Sequence, residues 1–203
     1  LTHFNGMFAF ALWDKEKRIL TLARDRIGIK PLYYGWMGKT FLFGSELKSL
    51  KAHPDFVGKV DRESLSLLMR FNYIPAPRSI YQDIYKLQPG TFLSVRGDKE
   101  VSSPTPYWSF SETARLGVRE GFKGTREEAV NQLDSLLGEA VKLRMNSDVP
   151  LGAFLSGGID SSTIVALMQK QSQQSVKTFS IGFHEKGFDE APHAKKIAQH
   201  LGT

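Results

Sequence analysis

A chain of 203 residues, 41% hydrophobic and 24% charged, has the composition of an ordinary globular protein and enough length for one large core or two small ones. It has no cysteine, which excludes disulfides, thiolate metal sites and a cysteine nucleophile within these residues; its longest apolar run, Met7 to Trp13, is too short to cross a bilayer, so no membrane role is expected. A net charge of +6 is compatible with an anionic partner, but Lys and Arg are scattered and their clusters (Lys15 to Arg18, Lys195-Lys196) are short, so a solvated surface is the simpler expectation and nucleic acid is not expected as a partner.

In chain order, the first hundred residues read as mostly β. Met7 to Trp13 is a strand that turns at Asp14-Lys15-Glu16-Lys17 onto a partner at Arg18 to Ala23. Leu32 to Trp36 and Thr40 to Phe43 form a second hairpin across Gly38-Lys39. Ser45 caps a short helix to Leu50, and Asp61 caps a longer one through Leu65, Leu67, Leu68 and Phe71, closed by Pro75 and Pro77. Ser79 to Leu87 and Thr91 to Arg96 read as strands around the Pro89-Gly90 turn. From about residue 102 to 124, Ser, Thr, Pro, Gly and charges dominate, with Tyr107, Trp108 and Phe110 as the large anchors, a linker composition.

Thr125-Arg126-Glu127-Glu128 is a capping box, followed at helical spacing by Val130, Leu133, Leu137, Ala140, Val141 and Arg144. An apolar run from Leu151 to Leu155 reads as a buried parallel strand. After Ser156-Gly157-Gly158 a helical pattern starts at Ser161-Ser162 and runs to about Gln171; a strand at Val176 to Ile181 and a helix from about Glu190 to Leu201, stopped by Gly202, complete the chain. Alternating helix and strand signals imply an α/β unit with a parallel sheet. The division is therefore 1–106, a linker over 107–124, and 125–203.

The string LGAFLSGGIDSS, Leu151 to Ser162, carries the chemistry. A strand that feeds a glycine turn and opens a helix is an anion site, because glycine has no Cβ to obstruct a phosphate and the first helical N–H groups lack internal acceptors. Ser156, Ser161 and Ser162 add hydroxyls, and Asp160 adds a carboxylate able to hold Mg2+. The lysine and spacing of a Walker A loop are missing. The string resembles the SGGxDS signature of the PP-loop ATP pyrophosphatases, set against the plainer alternative of a tight turn with helix-capping serines.

With both halves in view, the chain resembles the middle of a glutamine-hydrolysing asparagine synthetase. In the first half the likeness rests on Phe4 to Phe10, Ala23 to Tyr34, Phe43 to Lys48, Asn72 to Gly90 and Pro106-Tyr107-Trp108; in the second, on Ser147 to Gly152, the glycine loop, Lys177 to Phe183 and Phe188 to Thr203. The resemblance implies an α+β first part, the back half of an Ntn-hydrolase sandwich of mostly antiparallel β, then the start of an α/β parallel-sheet PP-loop domain. It implies that Leu155, Ser156, Gly157, Gly158, Asp160, Ser161 and Ser162 bind ATP, that Ile181 packs on the adenine, and that Asp160 is the Mg2+ ligand. The family's glutaminase residues precede the segment that starts at Phe4, and its other synthetase residues fall beyond Thr203, so the chain reads as an internal piece with no catalytic residue assigned. The implied reaction is ATP-dependent conversion of aspartate and glutamine to asparagine through β-aspartyl-AMP. These small molecules, ATP, glutamine and aspartate, are then the partners, in a cytoplasmic and homodimeric parent.

Several residues take plainer roles. Asn5-Gly6 reads as a turn before a strand, and Arg24-Asp25 as a salt-bridged corner with a loop shaped by Gly28 and Pro31. The five histidines have no metal-ligand spacing; Glu185, Asp189 and Glu190 read as a helix-start cap and solvated charge; Trp13, Trp36 and Trp108 read as core or interface. The rival readings are an amidotransferase of the same fold acting on another carboxylate, a PP-loop protein acting on tRNA, and a non-catalytic scaffold. The tRNA reading requires basic and aromatic residues interleaved on one face, and the sequence lacks them. The intact Ser156 to Ser162 string argues against the scaffold.

Overall fold

The computed structural model describes residues 1–97, 100–185 and 189–203, so Phe188 lies outside the described residues. The chain divides into two compact units, Leu1–Gly121 and Phe122–Thr203.

The first unit is built from two antiparallel sheets. Strands β1 (Ala9–Asp14), β2 (Ile19–Arg24), β6 (Thr91–Arg96) and β7 (Thr105–Pro106) lie in that order in one sheet. In the other, β3 (Tyr33–Met37) lies between β4 (Thr40–Gly44) and β5 (Ile84–Lys86). Alternating side chains explain their packing: Leu22 on β2 and Leu93 and Val95 on β6 meet Leu32, Tyr34 and Leu87 in one buried cluster. A second cluster, Met37, Leu42, Leu50 and Ile84, covers part of the other sheet with the short helix α1 (Leu47–Lys51). Helix α2 (Arg62–Phe71) is capped by Asp61, which accepts from the Glu63 N–H, and it ends at Asn72 in the left-handed conformation.

Three expectations need correction here, and one stretch holds an element that composition did not suggest. The N-cap of α1 is Glu46, not Ser45, and its side chain pairs with Lys48 Nζ at 2.6 Å. The strand expected over Ser79 to Leu87 is only Ile84–Lys86, because Ser79 Oγ bonds both the N–H and the C=O of Tyr81 and turns the chain there. Trp13, on the edge strand, is half exposed. The stretch read as linker contains a helix, α3 (Phe110–Arg119), with Ser109 Oγ accepting from the Glu112 N–H as its cap.

Arg24 and Asp25 are not a salt-bridged corner. Each side chain serves the backbone of the loop that follows. Asp25, 1% exposed, accepts from the N–H groups of Phe8, Ile27, Gly28, Ile29 and Lys30 at 2.7 to 3.3 Å. Arg24 donates to the carbonyls of Lys30, Leu87 and Gly28 at 2.6 to 2.8 Å. Burial alone would raise the Asp25 carboxyl; the N–H groups of Lys30, Ile29, Gly28 and Phe8 outweigh it and hold it below its ordinary value.

The second unit starts with α4 (Arg126–Arg144), whose capping box is complete: Thr125 Oγ accepts from the Glu128 N–H, and the Glu128 carboxylate accepts from the Thr125 N–H at 2.7 Å. Strands β8 (Gly152–Phe154) and β9 (Lys177–Phe179) pair in parallel and are joined through α5 (Ile159–Gln171). The last helix, α6 (Ala191–Leu201), stops at Gly202 in the left-handed conformation. Ala153 packs into two clusters, one with Val141, Leu167, Met168 and Val176, the other with Leu155, Val165 and Ala194. This strand is therefore held by all three helices of the unit.

Candidate anion-binding site

The site forms where β8 and β9 end. The Leu155 N–H donates to the Phe179 carbonyl at 2.9 Å, and the Leu155 carbonyl accepts from Ser180 Oγ at 2.6 Å. The chain is thus pinned to its neighbour strand just before it turns. Gly157 then takes φ +87°, and a Cβ there would lie 3.1 Å from His193 Cβ and 3.2 Å from the Ala194 nitrogen. Only glycine meets both the left-handed backbone and the close approach of α6.

Helix α5 starts at Ile159, two residues before the Ser161-Ser162 start read from the sequence. Gly158 is the N-cap, and no side chain caps the helix. Among the described residues, the N–H groups of Gly157, Ile159, Asp160 and Ser161 have no hydrogen-bond acceptor; the first helical bond there is Ser162 N–H to the Gly158 carbonyl. The hydroxyls are occupied differently. Ser156 and Ser161 share a hydrogen bond at 2.9 Å, Ser161 Oγ also accepts from the Ser156 N–H, and Ser162 Oγ donates back to the Gly158 carbonyl at 2.7 Å. The loop is braced by its hydroxyls and offers its amides, at the positive end of a 13-residue helix.

A cavity of about 270 Å³ adjoins this turn, lined by Leu155, Ser156, Phe179, Ile181, Phe183 and Glu190 among others. The structure therefore brings Leu155, Ser156 and Ile181 together around one cavity. Gly157, Gly158, Asp160, Ser161 and Ser162 lie in the adjoining turn and first helical turn. Asp160 is exposed and has no protein partner among the described residues. A single free carboxylate beside an array of amides fits Mg2+ carried in by phosphates, since that ion keeps waters and takes few protein ligands.

Sequence reasoning missed the clamp made by Ser180 and the position of Glu190. Ser180 was legible only as the residue before Ile181. The Asp189 reading as a helix-start cap holds: its Oδ1 accepts from the Ala191 and Phe183 N–H groups at 3.2 and 3.3 Å. Glu190 has no such bond; it lines the cavity. A larger cavity of about 620 Å³ in the first unit is lined by the aromatic Tyr34, Trp36, Phe41 and Tyr85 together with polar groups such as Asp83, Gln88 and Ser102.

Among the described residues no helix is long and apolar enough to cross a membrane. Residues 1–108 match the family model of the glutamine amidotransferase domain, and residues 132–203 match that of asparagine synthase. Among curated relatives, a putative glutamine-hydrolysing asparagine synthetase 2 of Methanocaldococcus jannaschii is 38% identical over 203 residues, covering 98% of this chain and 38% of the relative. Glutamine-hydrolysing asparagine synthetase 1 of Bacillus subtilis is 38% identical over 200 residues, 97% of this chain and 30% of the relative. Amidase chyE of Penicillium rubens is 31% identical over 220 residues, all of this chain and 31% of the relative. The chain thus spans less than two fifths of the length of these relatives.

Proposed function

Since the chain belongs to the family of glutamine-hydrolysing asparagine synthetases, we propose that its second unit supplies the ATP site of an amide-forming ligase that takes nitrogen from glutamine. The observation that carries this reading is the row of unpartnered amides at Gly157 and Ile159 to Ser161, beyond the carboxyl ends of two parallel strands. ATP lies with its phosphates on those amides and its adenine in the cavity against Leu155 and Ile181. The side-chain carboxylate of aspartate attacks the α-phosphorus, pyrophosphate leaves, and β-aspartyl-AMP forms. Ammonia released from glutamine then displaces AMP and gives asparagine. The N–H groups and the helix end stabilise negative charge that grows on the departing pyrophosphate, and because the loop is already braced they need no reorganisation. Asp160 would hold Mg2+ brought in with the nucleotide, and the ion would supply further neutralisation of the same charge.

The first unit belongs to the glutaminase half of this chemistry, as a folded scaffold in an Ntn-type sandwich. A second reading keeps the ATP site and changes the carboxylate acceptor; the likeness to a protein named an amidase favours keeping it. Binding of ATP to the full chain, with pyrophosphate as competitor, tests the shared part. ATP binding that pyrophosphate displaces, and that Gly157→Ala weakens by about tenfold or more with the circular dichroism unchanged, is the expected result. Undetectable ATP binding would overturn it. Pyrophosphate release by the full-length protein that requires aspartate, and no other carboxylate, separates the two readings.

A further inference from the structure

Among the described residues, Glu190 is the one ionisable residue that lines the cavity beside the anion loop. Its position is fixed by the backbone. The His193 and Ala194 N–H groups both donate to the Glu190 carbonyl, at 3.1 and 3.0 Å, and these two residues are the ones against which Gly157 packs. Glu190 therefore sits one turn from the glycine at the centre of the amide array, on the wall shared with Leu155, Ser156 and Ile181. Its carboxylate is not used by the fold: the capping of α6 is done by Asp189, and among the described residues Glu190 makes no side-chain hydrogen bond or ion pair.

A carboxylate facing a polyphosphate site is repelled by the phosphates, so it needs a neutral donor to be useful there. The neutral donors of ATP are the adenine amino group and the sugar diol, and the diol is the one that lies between the base and the phosphates, as Glu190 lies beside both the apolar cavity and the array of amides. Carboxylates are the usual acceptors for that diol in α/β nucleotide sites, placed just beyond the second strand of the unit that carries the glycine loop. A cation held at Glu190 would instead show as a changed Mg2+ dependence.

We propose that Glu190 accepts hydrogen bonds from the ribose hydroxyls of the bound nucleotide and so selects ribonucleotides over deoxyribonucleotides. This rests on the ATP-site reading above and adds to it a specificity-determining residue. In the folded protein the carboxylate loses some hydration when the cavity fills, and a nucleotide without the hydroxyl leaves it unpaired, which is the source of discrimination.

The experiment measures binding of ATP, 2′-deoxy-ATP and 3′-deoxy-ATP to the full chain and to Glu190→Ala and Glu190→Gln, with circular dichroism to confirm folding. The wild type is expected to prefer ATP over at least one deoxy analogue by about tenfold or more. In Glu190→Ala the preference collapses toward one because ATP weakens while the analogue does not; Glu190→Gln, which keeps an acceptor, falls between. A wild type that binds ATP and both analogues equally, or a Glu190→Ala variant that keeps the full preference, overturns the assignment while leaving the ATP site standing. A variant that changes Mg2+ dependence instead of sugar preference overturns it too. Loss of all ATP binding in the wild type overturns the site reading itself, which is a separate result.

Discussion

Asp25 carries more of the first unit than any charge around it. A buried carboxylate that accepts several backbone amides costs the fold heavily when it is removed, because each amide is left without a partner. Asp25→Ala is expected to lower stability by at least about 3 kcal/mol in denaturant unfolding, whereas loss of an exposed pair such as Lys48 with Glu46 is expected to change little. The pH dependence has a defined sign. The folded carboxyl titrates below its ordinary value of 3.8, so its contribution is complete above that pH and disappears as pH falls through the lower folded value. Unfolding free energy of the wild type should fall steeply in that acid range, and Asp25→Asn should lack that part of the slope. Little of this was legible. Adjacent opposite charges suggest an ion pair, and only the fold reveals that Arg24 and Asp25 address carbonyls and amides of residues 27–30, with Leu87 and Phe8, instead. The residues of the glycine turn were legible because their requirement is local: a left-handed glycine and a helix start follow from a few consecutive residues.

At the level of elements, two helices with the same start signal were read differently. Thr125-x-x-Glu128 and Ser109-x-x-Glu112 are both capping patterns, and in both the hydroxyl accepts from the N–H three residues on. The first precedes a long apolar periodicity and was read as a helix. The second lies among Ser, Thr and Gly, a linker composition, although composition counts for less than the cap at a helix start. The two differ in what supports them: α4 contributes Val141 to a core, and α3 buries none of its residues. Thr125→Ala is therefore expected to lower the melting temperature by roughly 4 °C, through loss of the hydroxyl arm of its capping box, while the Glu128 carboxylate keeps the backbone N–H of residue 125. Ser109→Ala should leave the melting temperature nearly unchanged and reduce only local amide protection at Phe110–Arg119 in hydrogen exchange. The hairpins were legible from alternation, but the start of β5 was not, because the Ser79 hydroxyl turn overrides the β-prone Ile80 and Tyr81.

Over the whole molecule, each unit has its own buried clusters, and the chain segment that joins them, residues 120–124, is exposed. Brief digestion with trypsin should cut first after Arg119 or Lys123 and give two fragments that persist, as read by mass spectrometry; early cleavage inside 19–96 would contradict it. The sequence division at 107–124 rested on composition; it remains a proposal for where function is partitioned. The small parallel pair of the second unit has a practical consequence. Among the described residues β8 and β9 bond only to each other, and Phe154 and Phe179, paired across the ladder, stand 79% and 55% exposed. Two strands with open flanks and bare aromatic rings act as a template for any extended peptide that arrives. As the 203-residue polypeptide is concentrated, its solubility ceiling will be set there, so substitutions meant to keep it monodisperse belong on this ribbon rather than on the larger sandwich.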